Sequence, residues 1–347
     1  IPVEFWLAPS DSRPMPGPTL KDVAIRAGVS RAAVSRTFTD GASVSAKMRA
    51  KVEQAAADLG YSPNALASSL TTGRTKLIGL IANNFQNPLF LEIFDLFTRR
   101  LQDRGLRPLQ ANLTAETEPE NSFRMMRSSS GDGVIVATST LPPVFAKAFR
   151  DARIPVVHSF GRFSPRPRVH IVGIDNVECG RMAATELVTR GYKRVAFLGG
   201  PESATSTQDR LQGFGAEIAK HPGVEMTHSF ADGYTFRAGR TEMLRLIEST
   251  PAEAYFCGDD VIAIGALSAL RDSGHDVPGD VGLIALNDME MAGWETINLT
   301  TIQQPVEDIV DASVSLMASL LELPDARAKA RLFSCQVVDR GTLRAKG

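Results

Sequence analysis

Residues 19–70 read TLKDVAIRAGVSRAAVSRTFTDGASVSAKMRAKVEQAAADLGYSPNALASSL, and their punctuation separates three helices. Thr19 precedes LKDVAIRA, with the acid Asp22 three residues on, a capping-box start. Gly28 stops that helix. Ser30 caps a second helix, Arg31 to about Phe38, and Asp40 and Gly41 form a turn. Ser45 caps a third, Ala46 to Leu59, closed by Gly60. Met48, Val52, Ala55 and Leu59 recur at helical spacing and give it an apolar face. Two short helices across a tight glycine turn have helix-turn-helix spacing. Ala24 and Gly28 allow close approach, and Val29 and Val34 would anchor the second helix on the first. Arg31, Ala32, Ser35 and Arg36 then face outward. An arginine so placed reads guanine by a bidentate contact, with about 1–3 kcal/mol of discrimination. A plain three-helix bundle with exposed arginines satisfies the same pattern.

Charge is uneven around this stretch. Residues 19–76 carry nine basic and four acidic side chains, whereas the whole chain of 347 residues has a net charge of −1. A basic head on a mildly acidic body suits nucleic acid, although clustering of solvated charges gives the same count. Before the head, residues 1–18 hold five prolines and no periodicity, which predicts a disordered arm. After it, residues 61–76 form a linker in which Ser62 and Pro63 can start a helix of about seven residues, too short to persist alone in water.

From Leu77 the pattern changes. LIGLIA (77–82), RPLQA (107–111), GVIVA (133–137), IPVVH (154–158), HIVGI (170–174), RVAFLGG (194–200), AYFCG (254–258), VGLIAL (281–286) and a stretch near 332–338 read as strands. Helical segments lie between them, such as Leu89–Asp103, Glu178–Arg190, Arg237–Glu248 and Ile262–Ser273. That alternation predicts parallel sheets covered by helices, in two similar α/β halves.

Composition excludes several classes. Hydrophobic residues are 43% and charged residues 22% of the chain, ordinary for a globular protein. No run approaches the roughly 18 apolar residues of a membrane span. Cys179, Cys257 and Cys335 form no CxxC and fit a reducing compartment. IPVEFWLAPSDSRPMPG lacks the basic start of a signal peptide. The five histidines make no metal-binding spacing, there is no GxSxG elbow, and GGP at 199–201 lacks the rest of a dinucleotide fingerprint. No catalytic residue, metal or cofactor is expected.

The elements T-L-x-D-V-A-x-x-A-G-V-S, V-S-R, the V-S at Ser45, L-G-Y-x-P-N and the following A-x-x-L resemble the head and hinge of the lactose-repressor (LacI/GalR) family of bacterial transcription regulators. The resemblance extends over nearly all of 19–345, through NPLF (87–90), DGVIV (132–136), GIDN (173–176), GYKRVAFLGGP (191–201), DRLQGF (209–214), VPGDVGLIALND (277–288) and LTTIQQP (299–305). It implies an all-α helix-turn-helix head, 19–60, a hinge, 61–76, and an α/β periplasmic-binding-protein-like core, 77–347. The core would have two doubly wound subdomains, about 77–190 with 304–333 and about 191–303 with 334–347. It further implies a cytoplasmic homodimeric repressor on near-palindromic double-stranded operator DNA, with dimer contacts near Leu91–Leu101. A sugar-binding protein without a DNA function, or a sugar-processing enzyme, is the alternative; the basic head discriminates against the first and the absence of catalytic motifs against the second.

Carried over by position, Arg31 and Ala32 open the recognition helix, Ser35 and Arg36 belong to its V-S-R signature, and Ser30 and Ser45 are caps that also touch phosphate. Leu70 holds the place of a hinge leucine that wedges between base pairs in the minor groove, with Ala67 facing the partner helix and Asn64 near the helix start. Such a wedge unstacks a base step and kinks the duplex. In the core, Asp175 and Arg210 hold positions that bind ligand hydroxyls, and Phe90 and Tyr234 positions that place rings against the ligand. Carboxylate and guanidinium together match a vicinal diol. The family usually shows Asn-Asp at Asp259–Asp260 and Asp-Asp at Asn287–Asp288. An acid and an amide have exchanged places, and both Asp259 and Asn287 are expected in the cleft. A site holding Asp175, Asp259 and Arg210 leans anionic and favours a neutral sugar or polyol, unless a further basic residue such as Arg162 enters it.

Overall fold

The computed structural model describes residues 17–39, 42–63, 69, 73–82, 85–112, 124, 126–138, 140–249, 251–324 and 326–346. The chain divides into two compact units, one ending at Thr75 and one beginning at Lys76.

The first unit holds α1 (Leu20–Ala27), α2 (Arg31–Thr37) and α3 (Ala46–Leu59). Each starts where its cap was expected. Thr19 and Asp22 close a reciprocal capping box, Ser30 Oγ accepts from the Ala33 N–H (3.2 Å), and Ser45 Oγ accepts from the Met48 N–H (3.3 Å). Gly28 ends α1 in the left-handed region at φ 57°, where a Cβ would be strained. Val23, Ala24, Ala27, Val34, Val52, Ala55 and Ala56 form the buried core, with Val29, Met48 and Leu59 packed against it. Across the helices, Arg26 pairs with Asp58 (3.0 Å), and Arg49 donates to the Thr37 carbonyl at the end of α2 (2.9 Å). Asp40 and Gly41 lie outside the described residues, as do most of the N-terminal arm and half of the hinge.

The second unit contains two six-stranded sheets wound alike. The first is built from β1 (Leu77–Ala82), β2 (Arg107–Asn112), β3 (Gly133–Ala137), β4 (Val156–Ser159), β5 (His170–Ile174) and β11 (Ala330–Phe333), in the order β11-β5-β4-β3-β1-β2. All its pairings are parallel. The second comprises β6 (Arg194–Gly199), β7 (Glu225–Phe230), β8 (Ala254–Cys257), β9 (Gly282–Asn287), β10 (Thr301–Gln303) and β12 (Gln336–Val338), in the order β12-β10-β9-β8-β6-β7. Here only β12 runs antiparallel, against β10. Helices α4 (Leu89–Gln102), α5 (Pro143–Asp151), α6 (Asn176–Thr189), α7 (Thr205–Ile218), α8 (Phe236–Ile247), α9 (Asp260–Asp272) and α10 (Val306–Glu322) intervene along the chain.

Three features differ from the sequence expectation. Strand β7 went unread because EMTHSF, an edge strand with half of its side chains exposed, has no apolar run. The stretch near 332–338 is two strands, one in each sheet, because the chain crosses between the halves at Ser334–Cys335. The first crossing falls near Asp175 rather than Arg190. Helix α6 packs on α7, β8 and β9 of the second half, burying Cys179, Ala183, Ala184 and Leu187. Gly180 and Gly213 make that packing close. A Cβ on Gly180 would meet the Arg210 carbonyl oxygen at 2.1 Å, and one on Gly213 the Val177 carbonyl oxygen at 1.8 Å.

Candidate nucleic-acid interface and ligand cleft

On α2, Val34 and Thr37 point inward, and Arg31, Ala32, Ser35 and Arg36 are exposed. This is the outward face read from the sequence, at i, i+1, i+4 and i+5. Arg36 Nε lies 3.4 Å from the Ala32 carbonyl oxygen, which lays the side chain along the helix. Ser30 and Ser45 are exposed caps at the starts of α2 and α3. Asn64, Ala67 and Leu70 lie outside the described residues.

The core contains a cleft of about 620 Å3 at the carboxyl ends of both sheets. Its position follows from topology. In a doubly wound sheet, neighbouring strands whose helices lie on opposite faces leave a crevice at their carboxyl ends. That switch falls between β1 and β3 in one sheet and between β6 and β8 in the other. Asn87 follows β1, Thr140 follows β3, Pro201, Ser203, Ala204 and Ser206 follow β6, and Asp259 follows β8; all contribute to the lining.

Of the six residues expected here, Phe90, Arg210, Tyr234, Asp259 and Asn287 line the cleft together. Asp175 does not. Its Oδ1 accepts from the Val177 and Glu178 N–H groups (3.0 and 3.1 Å) and caps α6. The free N–H groups of a helix start claim a carboxylate that the sequence had assigned to a ligand. The next residue, Asn176, lines the cleft instead and accepts from Arg210 Nε (2.8 Å). Arg210 also donates through Nη1 to the Gly258 carbonyl, so its guanidinium is buried and fixed in place. Arg162, which could have added a positive charge, pairs with Asp209 and is not part of the lining.

Asp259 is the centre of a buried network. Its Oδ2 accepts from Asn87 Nδ2 (3.0 Å) and Asn287 Nδ2 (2.8 Å), and its Oδ1 from the Val261 N–H (2.8 Å). Asn287 Oδ1 in turn accepts from Gln304 Nε2 (2.6 Å). Burial pushes the Asp259 carboxyl up to about 6, against the pull of those donors and of Arg210. The exchanged acid and amide thus bond to each other. Asn287 and Asp288 both take positive φ, 135° and 59°, a conformation that short polar side chains tolerate better than others. Bonds at both residues hold them there, Asp288 through Arg340 (2.6 Å) and Gln303 (2.7 Å). Asp260, also buried, is pushed up to about 7 by desolvation and serves the fold, accepting from Thr301 Oγ1 (2.6 Å) and the Met289 N–H (2.8 Å).

Three aromatic rings, Phe90, Phe160 and Tyr234, share the cleft with these polar groups. The Tyr234 hydroxyl is within hydrogen-bond distance of Ser206 Oγ (3.0 Å) and Thr207 Oγ1 (2.7 Å). The GGP motif finds its use here, because a Cβ on Gly200 would strike the Tyr234 ring at 2.4 Å. Sequence reasoning missed Asn87, Asn176 and Gln304 as site residues. Each lay inside a quoted landmark, NPLF, GIDN or LTTIQQP, so a signal was present.

A helix-turn-helix head joined in sequence to a two-sheet receptor core with a polar and aromatic cleft defines a class, the DNA-binding proteins that carry their own small-molecule receptor. The model of bacterial regulatory proteins of the lacI family matches residues 19–64, and that of the periplasmic binding protein-like domain matches 184–343. The HTH-type transcriptional repressor CytR of Escherichia coli strain K12 is 30% identical over 332 residues, 94% of this chain and 96% of that protein. The HTH-type transcriptional regulator CelR of Thermobifida fusca is 31% identical over 300 residues, 84% and 88% of the two chains. Among solved structures, the lac repressor dimer bound to operator and the anti-inducer ONPF superposes with a TM-score of 0.83 at 25% identity, covering 95% of this chain and all of that one. The CelR–cellobiose complex gives 0.70 at 26% identity, covering 94% and 99%. The chain belongs to the lacI family and is a DNA-binding transcriptional regulator. Its relatives are regulators rather than enzymes. Among the described residues, no helix is long and apolar enough to cross a membrane.

Proposed function

We propose that this protein is a cytoplasmic homodimeric repressor whose hold on a near-palindromic operator is set by a neutral sugar or polyol bound in the core cleft. The observation that carries the reading is the cleft lining itself. Arg210, Asn176, Asn87, Asn287 and Gln304 offer fixed donors and acceptors, while Phe90, Phe160 and Tyr234 offer flat apolar faces. Hydroxyls need the first set and the C–H face of a pyranose or furanose suits the second. Asp232 and Asp259 also line the cleft, against one cation, Arg210, which disfavours a phosphorylated or carboxylated effector. Similar structures support the class: CelR was solved with cellobiose, and lac repressor with ONPF.

In this reading Arg31, Ala32, Ser35 and Arg36 read base edges in the major groove, and Ser30 and Ser45 contact phosphate. Leu70, flanked by Ala67 and Asn64, wedges the operator centre from the minor groove. Leu91, exposed on α4, belongs to the dimer contact. Effector binding changes the relation of the two core halves and so the spacing of the hinges. Linkage makes this reciprocal: an inducer binds free protein more tightly than operator-bound protein. We place the working divisions at 19–60 for the head, 61–76 for the hinge and 77–347 for the core. The test is selection of bound duplexes from a random pool, with and without a mixture of sugars and polyols. A palindrome with a flexible central step, whose recovery changes when sugars are added, is expected. Recovery of a palindrome that no sugar or polyol affects would refute the effector class, and recovery of no sequence in either arm would refute the operator reading.

A further inference from the structure

A second cavity of about 620 Å3 lies in the core and shares no lining residue with the cleft. One wall is the face of α10 that carries Ala312, Ser315 and Ser319, and the other is formed by β5 and the edge strand β11. Arg327, Lys329 and Arg331 line it, and no acidic residue does among the described residues. None of the three has a carboxylate partner among the described residues, and the Arg331 guanidinium lies over the Phe333 ring at 4.8 Å. Three exposed cations around one concavity create a field that concentrates anions.

Apolar side chains, among them Ile171, Val172 and Leu316, complete the wall. His170 lines this cavity and is only 8% exposed. Its Nε2 is 3.3 Å from the Ala326 carbonyl oxygen, and its Nδ1 is buried with no hydrogen-bond partner. The Ser315 hydroxyl accepts from Arg104 (2.9 Å), which adds a fourth cation beside the α10 wall. The volume lies within the range of small-molecule sites, roughly 300–1,000 Å3.

We propose that this cavity is a second ligand site, for a small phosphorylated metabolite. Arg327, Lys329 and Arg331 hold the phosphate, and the Ser315 and Ser319 hydroxyls meet the polar remainder. The cleft, with its two aspartates, takes the neutral ligand, and this cavity takes the charged one. Its walls adjoin two of the three crossings between the halves, since α10 follows β10 and β11 leads into β12.

Isothermal titration of the full chain with inorganic phosphate and ribose 5-phosphate, with ribose as the uncharged control, tests this. The same titrations are run on the Arg327→Gln/Lys329→Gln/Arg331→Gln variant and on Asp259→Asn. Because all three cations are exposed, the triple variant keeps its buried core. Ribose 5-phosphate should bind the wild type and Asp259→Asn alike and the triple variant at least about tenfold more weakly. That affinity should fall as salt is raised. No binding to the wild type, or equal affinity for the triple variant, would overturn the proposal. So would loss in Asp259→Asn with retention in the triple variant. A triple variant that self-associates and still binds the phosphate overturns it too, and leaves the cations as guards of an exposed sheet edge.

Discussion

Gly213→Ala and Gly215→Ala add the same methyl two residues apart on α7, with opposite expected outcomes. At Gly213 the new Cβ would sit 1.8 Å from the Val177 carbonyl oxygen and 2.7 Å from its carbon. An ordinary carbon–oxygen contact is about 3.3 Å or more. Helices α6 and α7 must therefore separate by about 1.5 Å at this point, and the obstacle is backbone, which cannot turn aside as a side chain does. Overpacking that a side chain can absorb costs about 1–3 kcal/mol. Here we expect the upper end of that range or beyond, about 3 kcal/mol or more. At about 2–4 °C per kcal/mol for a large domain, Tm should fall by roughly 6–12 °C. At Gly215 the nearest atom to the new Cβ is Met226 Sδ at 3.6 Å, ordinary contact. That substitution should stabilise by up to about 1 kcal/mol, the helix preference for alanine over glycine. Urea and thermal unfolding of the two variants measure the difference, about 4 kcal/mol in all. Effector titration should show a second effect of Gly213→Ala alone, because α6 carries Asn176 and α7 carries Arg210, the pair joined at 2.8 Å in the cleft. A Gly213→Ala variant as stable as the wild type, or a Gly215→Ala variant equally damaged, would refute the close-packing account.

Asp259→Asn puts an amide donor where two other amides already donate, so effector affinity should fall by about tenfold or more, one or two hydrogen bonds to a charged acceptor; unchanged affinity in calorimetry would remove Asp259 from the site. Arg36→Ala should weaken operator binding while leaving effector binding intact, and should flatten the salt dependence of operator affinity if Arg36 meets phosphate rather than a base; anisotropy titrations over a salt series separate the two. Stability should also depend on pH through the buried acids. Burial raises the Asp259 and Asp260 carboxyls to about 6 and about 7, so the native state holds protons that the unfolded chain has released. Their contribution is greatest near pH 4 and is lost as pH rises through about 7. Denaturation of Asp260→Asn between pH 5 and 8 should show a shallower pH slope than the wild type, and an unchanged slope would count against a buried carboxyl at 260.

How far a site is legible depends on how local its cause is. The head was legible almost to the residue, because a cap needs only a side chain and the amide three residues on, and Ser30 and Ser45 satisfy that condition within their own sequence neighbourhoods. The outward face of α2 followed from helical period once Val34 was assigned inward. The cleft was legible only in part. Phe90, Arg210, Tyr234, Asp259 and Asn287 were found through family resemblance, not through any period or spacing. Asp175, expected to bind ligand, instead caps α6 through Oδ1, because one carboxylate suits both a diol and a helix start.

The sequence alone determined the three head helices, the alternating α/β core and the absence of familiar catalytic motifs, because caps, turns and hydrophobic period act within a few residues. Tertiary structure alone decided that the first crossing falls near Asp175, that Asn87, Asp259, Asn287 and Gln304 share one network, and that His170 faces a second cavity. Asn87 and Asp259 are 172 positions apart, and Gly180 and Gly213 sit on different helices. No local propensity encodes such contacts; they arise when parallel strands bring the ends of distant segments to one edge and close packing selects the glycines that let the helices meet.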